Sequence, residues 1–289
     1  MVLKLVIDGK ATDNLLYGSM VFSLLAFASL YQSTESLPVR EGYWTSGFFV
    51  IHLASIASAL SLIWMARVKR TFRLIGIAFY AATIFLVTVF GDAFGALSFG
   101  YNVPPDPIPE PQIASLFGRL ERFHSRGAAP SGYTLRQWMS TLVGFYLVDT
   151  NMTPMSEMKK GIVKVLLAAA MIYVTSARLL RNTHTAFDLA VAIPLGTMAF
   201  WESLFLMQAI LRRLYGKIVP RLKGQWLFTL WAFSVLFWVI FGTVSKVPSF
   251  WFLSIPIPIA LHFVIDWLNN RKTYDTESCL LYTSDAADE

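Results

Sequence analysis

His184 and Asp188, spaced four residues apart, form the strongest chemical signal in the sequence. On a helix that starts near Asn182, positions i and i+4 share a face, so the carboxylate can accept the proton of one imidazole nitrogen. That contact would fix the tautomer and leave the other nitrogen to act as a nucleophile or base. A histidine that merely stands at a helix start beside a carboxylate has the same spacing, and this alternative stays open.

A second segment has the residues of an anion-binding helix start. Pro130-Ser131-Gly132-Tyr133 directly precedes an apolar run, so we predict a turn into a helix whose first N–H groups and dipole favour negative charge. Ser131 adds a hydroxyl donor. An ordinary helix start has the same sequence and is the alternative.

Arginines accumulate around both segments. The planar guanidinium suits phosphate better than a lysine ammonium does, and a solvated loop surface is the alternative. The six arginines concerned are Arg119, Arg122, Arg126, Arg136, Arg178 and Arg181.

Together the segments resemble the type 2 phosphatidic acid phosphatase and vanadium haloperoxidase superfamily. Pro130 to Tyr133 stands where the family has Pro-Ser-Gly-His, and Arg178, His184 and Asp188 have the spacing of the family's third motif. The order of the motifs relative to the apolar runs also agrees. The resemblance covers roughly residues 74–196.

This resemblance implies phosphotransfer through a phosphohistidine. His184 would attack phosphorus and Asp188 would orient it, while Arg178 and the amides of Ser131 and Gly132 would hold the phosphate oxygens. Such donors suit an anionic transition state. We expect no metal and no cofactor.

The chain departs from the family in three places. Tyr133 replaces the histidine that acts as general acid, and a phenol is a poorer proton donor at neutral pH. The lysine and arginine of the first motif have no counterpart between Asp92 and Pro105, and Ala177 replaces a serine. His124 could supply the proton. The missing positive charge could come from Arg119, Arg122 and Arg126.

Three functions remain open on these residues. The first is a membrane lipid-phosphate phosphatase that acts on phosphatidic acid or a polyprenyl pyrophosphate. The second is a lipid phosphotransferase of the sphingomyelin synthase kind, in which a hydroxyl replaces water. The third is a catalytically inactive membrane relative that serves as a scaffold, transporter or lipid-binding protein.

The composition indicates a membrane protein. Of 289 residues, 55% are hydrophobic and only 15% are charged, which excludes an ordinary soluble domain. The apolar residues form long runs, so we predict an all-α polytopic bundle. The family resemblance implies a phosphatase-like core within it. Eight spans are predicted: Leu15 to Tyr31, Ser46 to Ala66, Leu74 to Gly91, Thr134 to Val148, Gly161 to Ala177, Thr185 to Leu211, Trp226 to Val244 and Phe250 to Leu268.

The basic residues predict the orientation of these spans. Most lysines and arginines follow the second, fourth, sixth and eighth spans, so the net charge of +6 reports topology and not nucleic-acid binding. We expect a cytoplasmic N-terminus, a site on the extracytoplasmic face and a bacterial inner membrane. The expected partners are membrane lipids and a lipid phosphate substrate.

The chain divides into four predicted parts. Residues 1–73 would hold two helices, 74–211 a four-helix core with an extracytoplasmic loop at 100–133, 212–270 two further helices, and 271–289 a tail. Residues 279–289 resemble a translated sequencing adapter, so we expect them to be an artefact and the native chain to continue beyond Ser278.

Overall fold

The computed structural model describes residues 9–30, 47–97, 131–180, 184, 186–216, 219–245 and 256–270. These residues form helices and contain no strand, which confirms the predicted all-α class. There are eight helices in the described part of the chain, and each overlaps one predicted span. They are α1 (Gly9–Leu30), α2 (Phe48–Met65), α3 (Arg70–Leu97), α4 (Gly132–Asp149), α5 (Glu157–Leu180), α6 (Ala186–Tyr215), α7 (Gly224–Ser245) and α8 (Pro256–Asn270).

Five of the helices, α1, α2, α3, α5 and α6, are long and apolar enough to cross a membrane. Large apolar side chains on their outer faces are exposed, among them Val50, Phe85 and Val165. Lipid is the solvent that suits such a surface, because contiguous apolar exposure on this scale is unfavourable in water. The count of eight spans stays a prediction, since α4, α7 and α8 are not among these five.

Helix α4 is less apolar because it lies inside the bundle. It packs against α1, α2, α3, α5 and α6, and twelve of its eighteen residues are buried. A helix surrounded by protein can carry polar side chains, provided that neighbouring helices satisfy their hydrogen bonds.

Buried hydrogen bonds connect α4 to three of its neighbours. The Trp138 indole N–H donates to Thr197 Oγ1 on α6 at 2.8 Å, and the Ser140 and Tyr80 hydroxyls, the latter on α3, lie 2.6 Å apart. The Gln137 amide donates to Ser55 Oγ on α2 at 2.8 Å. These bonds fix the rotation of α4, and with it the direction in which its first turn faces.

The bundle has two chemically different ends. The α2–α3 and α4–α5 connections meet through a hydrogen bond from the Arg67 N–H to the Met152 carbonyl at 2.7 Å. At the same end, the start of α3 and the end of α6 join in a small apolar cluster of Phe72, Leu211 and Val219. We call this the basic end, because Arg67 and Lys69 lie in the α2–α3 connection, Lys159 and Lys160 in the first turn of α5, and Arg212 and Arg213 in the last turn of α6. Which side of the membrane it faces stays a prediction.

Gly196 permits the close approach of α6 to α4. A Cβ atom added at Gly196 would lie 3.1 Å from the Leu135 carbonyl oxygen and 3.1 Å from Trp138 Cδ1. Leu135 and Trp138 are both buried in the first half of α4, so the contact can relax only by shifting that helix or the Trp138 ring. Glycine is the residue type that lets membrane helices pack this closely.

We predict that Gly196→Val destabilises the protein by about 1–3 kcal/mol, the usual cost of overpacking a core. The measurement is thermal unfolding of the protein in detergent. Gly18→Val is the matched control, because a Cβ at this exposed position of α1 meets nothing within 4 Å. Equal melting temperatures for the two variants would contradict the close contact between α4 and α6.

Candidate functional site

The three residues of the predicted third motif meet at the end of the bundle opposite the basic end. Arg178 lies in the last turn of α5, His184 precedes α6, and Asp188 lies in the first turn of α6. The expectation that the helix already includes His184 is wrong, since α6 begins at Ala186. The predicted contact forms nevertheless, with His184 Nδ1 3.5 Å from Asp188 Oδ2.

The other ring nitrogen of His184 faces Arg178. Arg178 Nη2 lies 3.1 Å from His184 Nε2. A guanidinium has only donors, so Nε2 must accept this hydrogen bond and the ring proton of a neutral His184 belongs on Nδ1, towards Asp188. The Nε2 lone pair is therefore directed at the group that carries the positive charge. This is the tautomer that a nucleophilic histidine requires.

Both acidic and basic partners of His184 are shielded from solvent. Asp188 has no exposed surface, Arg178 is 4% exposed and the His184 side chain is 11% exposed. Electrostatic interactions are stronger in such surroundings than in water. The imidazole is thus held between opposite charges, with limited access from outside.

A backbone hydrogen bond brings the second predicted motif to the third. The Ser131 N–H donates to the Asp188 carbonyl at 3.2 Å, although 57 residues separate the two positions in the chain. Ser131 is also the N-cap of α4, where its hydroxyl accepts from the Thr134 N–H at 3.5 Å. The positive end of the α4 dipole therefore lies beside the His184 segment.

These contacts change the role expected of Ser131. The N–H that was predicted to hold a phosphate oxygen is already used by Asp188. Ser131 therefore positions the two segments, and Gly132 remains as the motif's backbone donor for an anion. Gly132 is half buried at the start of α4, and a Cβ there would lie 3.6 Å from Arg136 Nη1.

Tyr133 lies at the centre of an aromatic and cationic cluster. The Cζ atom of Arg178 lies 4.7 Å from the centre of its ring, and that of Arg136 lies 5.0 Å away. Guanidinium groups over an aromatic face are attracted by its negative charge density. Tyr133 thereby holds two cations next to the His184 pair, a role that its position in the sequence alone does not indicate.

Two residues of α2 complete the cluster and were not predicted as site residues. Phe48 and His52 pack edge-on against the Tyr133 ring, with ring centres 5.2 Å and 5.1 Å away, and Arg178 also lies over Phe48. His52 Nδ1 lies 3.1 Å from Gln137 Oε1. The only sequence signal for them was one histidine within an apolar run, which more often marks a buried hydrogen-bonded group.

Arg136 is the one arginine of α4, and it extends the site towards α3. Its guanidinium donates to Thr88 Oγ1 at 2.9 Å. Arg119, Arg122 and Arg126, together with His124 and Arg181, lie outside the described residues, so their predicted roles stay predictions. In the part of the chain that the structure covers, no group of three His, Cys, Asp or Glu residues is placed to hold a metal ion.

The described site thus combines two guanidinium groups, a helix N-terminus and one carboxylate that is engaged by a histidine. This balance of charge favours an anion. The fold and the exposed apolar surface define the class as an all-helical membrane protein. Comparison with protein-family models, curated proteins and solved structures finds no match for this chain.

We predict that His184 is in the neutral Nδ1–H tautomer, because Arg178 offers its Nε2 only a donor. ¹⁵N NMR of protein labelled at its four histidines measures the tautomer, and His184→Gln assigns the signal. Arg178→Leu should increase the share of the Nε2–H tautomer. An Nε2–H tautomer in the parent protein would show that the Arg178–His184 contact is not a hydrogen bond.

Proposed function

We propose that this protein is a membrane lipid-phosphate phosphatase that acts through a phosphohistidine. One observation carries the proposal: His184 accepts from Arg178 through Nε2 and faces Asp188 through Nδ1. A carboxylate on the Nδ1 side of the ring leaves Nε2 as the nucleophile, and Nε2 becomes available for in-line attack once Arg178 exchanges it for a phosphate oxygen.

In the proposed reaction, the Nε2 lone pair of His184 forms a bond to phosphorus while the bond from phosphorus to the leaving oxygen breaks. The electron pair departs with that oxygen. The imidazolium that results keeps its Nδ1 proton, and Asp188 stabilises its charge. Water then attacks phosphorus while the bond from phosphorus to Nε2 breaks and its electron pair returns to Nε2. The protons of the water stay on the inorganic phosphate that leaves, and neutral His184 is regenerated.

The positive groups would act on the phosphate oxygens. Arg178 would transfer its hydrogen bond from Nε2 to a phosphate oxygen as the nucleophile approaches, and Arg136 and the Gly132 N–H would bind from the α4 side. Charge accumulates on these oxygens in the transition state, so fixed donors are worth most there. The third motif supplies the nucleophile, and the α4 start supplies the anion site.

Tyr133 decides between the two substrate classes. A lipid alcohol leaves as an alkoxide and needs a proton, whereas a lipid phosphate leaves from a pyrophosphate as a stable anion whose second pKa is about 6. The position of the family's acid is filled here by a ring that lies under two guanidinium groups. We therefore favour a polyprenyl-type pyrophosphate over phosphatidic acid as the substrate.

Removal of the nucleophile tests the reaction itself. We expect His184→Gln to lower phosphate release from a polyprenyl pyrophosphate by at least about a thousandfold, the scale of losing a covalent nucleophile. The assay uses detergent-purified protein and substrate labelled in the terminal phosphate, and an acid quench tests for labelled phosphohistidine. His262→Gln is the matched control on α8, away from the site.

A protein without release or label in the parent chain would be a catalytically inactive relative. Release that persists in His184→Gln would place the nucleophile elsewhere. Release that depends on an added lipid hydroxyl, with the phosphoryl group found on that lipid, would instead indicate the phosphotransferase.

Three substitutions at Tyr133 test the choice of substrate. Tyr133→Phe keeps the ring under Arg136 and Arg178, so pyrophosphate hydrolysis should fall no more than about threefold. Tyr133→Ala removes the ring and should lower pyrophosphate hydrolysis further. Tyr133→His adds a proton donor and should raise phosphatidic acid hydrolysis by about tenfold, below the 10²–10⁴ that general acids contribute, because both arginines disfavour the protonated imidazole. The measurement is kcat/KM for each substrate.

Faster hydrolysis of phosphatidic acid than of pyrophosphate by the parent protein would overturn this choice. So would a loss of pyrophosphate hydrolysis in Tyr133→Phe as large as in Tyr133→Ala, because the phenol and not the ring would then be essential.

A further inference from the structure

A large cavity lies in the half of the bundle next to the basic end. It has a volume of about 930 Å³, counting its open mouth, and is enclosed by α2, α3, α4 and α6. Its wall on α4 runs from Met139 to Leu147, and so begins two turns beyond the candidate site at the α4 start. Of this space, about 130 Å³ can hold the centres of water-sized molecules, and the rest is the open mouth and the margin along the wall.

The cavity opens between α3 and α6. Gly76 and Phe79 on α3 and Leu204 and Met207 on α6 line it and are only half buried. Both helices are among the five that can span a membrane. The mouth therefore faces the hydrocarbon of the bilayer, where acyl chains are the apolar groups at hand.

The polar side chains of the wall offer nothing to a polar ligand, with one exception. Thr83 bonds to Ser203 at 2.8 Å and Tyr80 to Ser140 at 2.6 Å, while the Gln208 amide donates to the Pro220 carbonyl at 3.0 Å. The Tyr146 hydroxyl bonds to Thr12. A cavity whose polar groups are already satisfied excludes water and favours hydrocarbon.

The exception is Arg73, at the basic end of the cavity. Its Nη1 donates to the Trp64 carbonyl at 2.9 Å, and its guanidinium lies over the Trp64 ring at 5.4 Å. Its Nε is buried and has no hydrogen-bond partner in the described part of the chain. Arg73 as a whole is half buried, so its guanidinium can be reached from the membrane surface, and an anion there would gain a charge-assisted hydrogen bond.

We propose that this cavity binds one phospholipid with an anionic headgroup, which is distinct from the substrate of the candidate site. An acyl chain enters between α3 and α6 and fills the apolar wall, and the lipid phosphate accepts from Arg73. Lys69 and Arg70, exposed at the same end, add attraction for a negatively charged headgroup. The proposal depends on the cavity and not on the phosphatase function.

Native mass spectrometry of the delipidated protein tests the proposal. The probes are dioleoyl phosphatidylglycerol and dioleoyl phosphatidylcholine, which share their acyl chains and differ in headgroup charge. We expect the parent protein to bind one phosphatidylglycerol about tenfold or more tightly than phosphatidylcholine, because both carry the phosphate but the choline ammonium is repelled by Arg73 and its basic neighbours. Equal binding of the two lipids by the parent would overturn the role of Arg73.

Variants at the basic end and at the mouth separate the contribution of the headgroup from that of the acyl chain. Arg73→Gln should abolish the preference for phosphatidylglycerol, whereas Lys69→Gln, an exposed cation at the same end, should keep most of it. Met207→Trp narrows the mouth of the cavity and should weaken the binding of both lipids equally. Leu204→Phe replaces it if Met207→Trp does not elute as a folded protein. Parent-like affinity for both lipids in the mouth variants would overturn the cavity as the binding site.

Discussion

The polar side chains of α4 have to find partners inside an apolar bundle, and the rest of the structure depends on this constraint. A buried polar group without a hydrogen bond is unfavourable by several kcal/mol in hydrocarbon, which exceeds what a single side chain gains by packing. The polar side chains of α4 satisfy this constraint through hydrogen bonds: Gln137 to α2, Trp138 to α6 and Ser140 to α3. Their pairing sets the rotation of α4, so Tyr133 in its first turn meets α2 and α5, and its N-cap meets one further neighbour.

That neighbour is the first turn of α6. The bond from Ser131 to the Asp188 carbonyl joins the two helix starts, and Gly196, two turns further along α6, keeps the helices close. Arg178 and His184 then enter the same space from the end of α5. The geometry of the candidate site is thus a consequence of how α4 and α6 pack, more than of the loop sequences around it.

The sequence predicted the segments well and their environment poorly. The contact between His184 and Asp188 followed from spacing alone, because i and i+4 positions stay close even when the helix begins after the histidine. The Pro130-Ser131-Gly132 turn likewise predicted the start of α4. Phe48 and His52 could not be found in this way, since their approach to Tyr133 depends on the crossing of α2 and α4.

The low hydropathy of α4 gives a misleading prediction of its place in the membrane, because the tertiary contacts of this helix are likewise not visible in the sequence. An inner helix exchanges lipid contacts for interhelical hydrogen bonds, so a scale based on transfer to lipid underestimates it. Each of the eight predicted spans nevertheless overlaps one helix of the described chain, because length and turn residues still separate them. The length of the apolar run and the turn residues beside it thus located α4 in the sequence. Its central position in the bundle could be seen only from the tertiary contacts.

Under the proposed phosphatase function, Tyr133 would serve the phosphate site although it departs from the family's motif. A histidine there would place a third titratable group beside two arginines, and its protonated form would be repelled by both. An aromatic ring has the opposite effect, since it attracts guanidinium groups and screens them from each other. Tyrosine in place of histidine at position 133 therefore removes a proton donor and stabilises a pair of cations. Such an exchange favours substrates whose leaving group departs as an anion, which is the physical reason to connect this site with a phosphoanhydride.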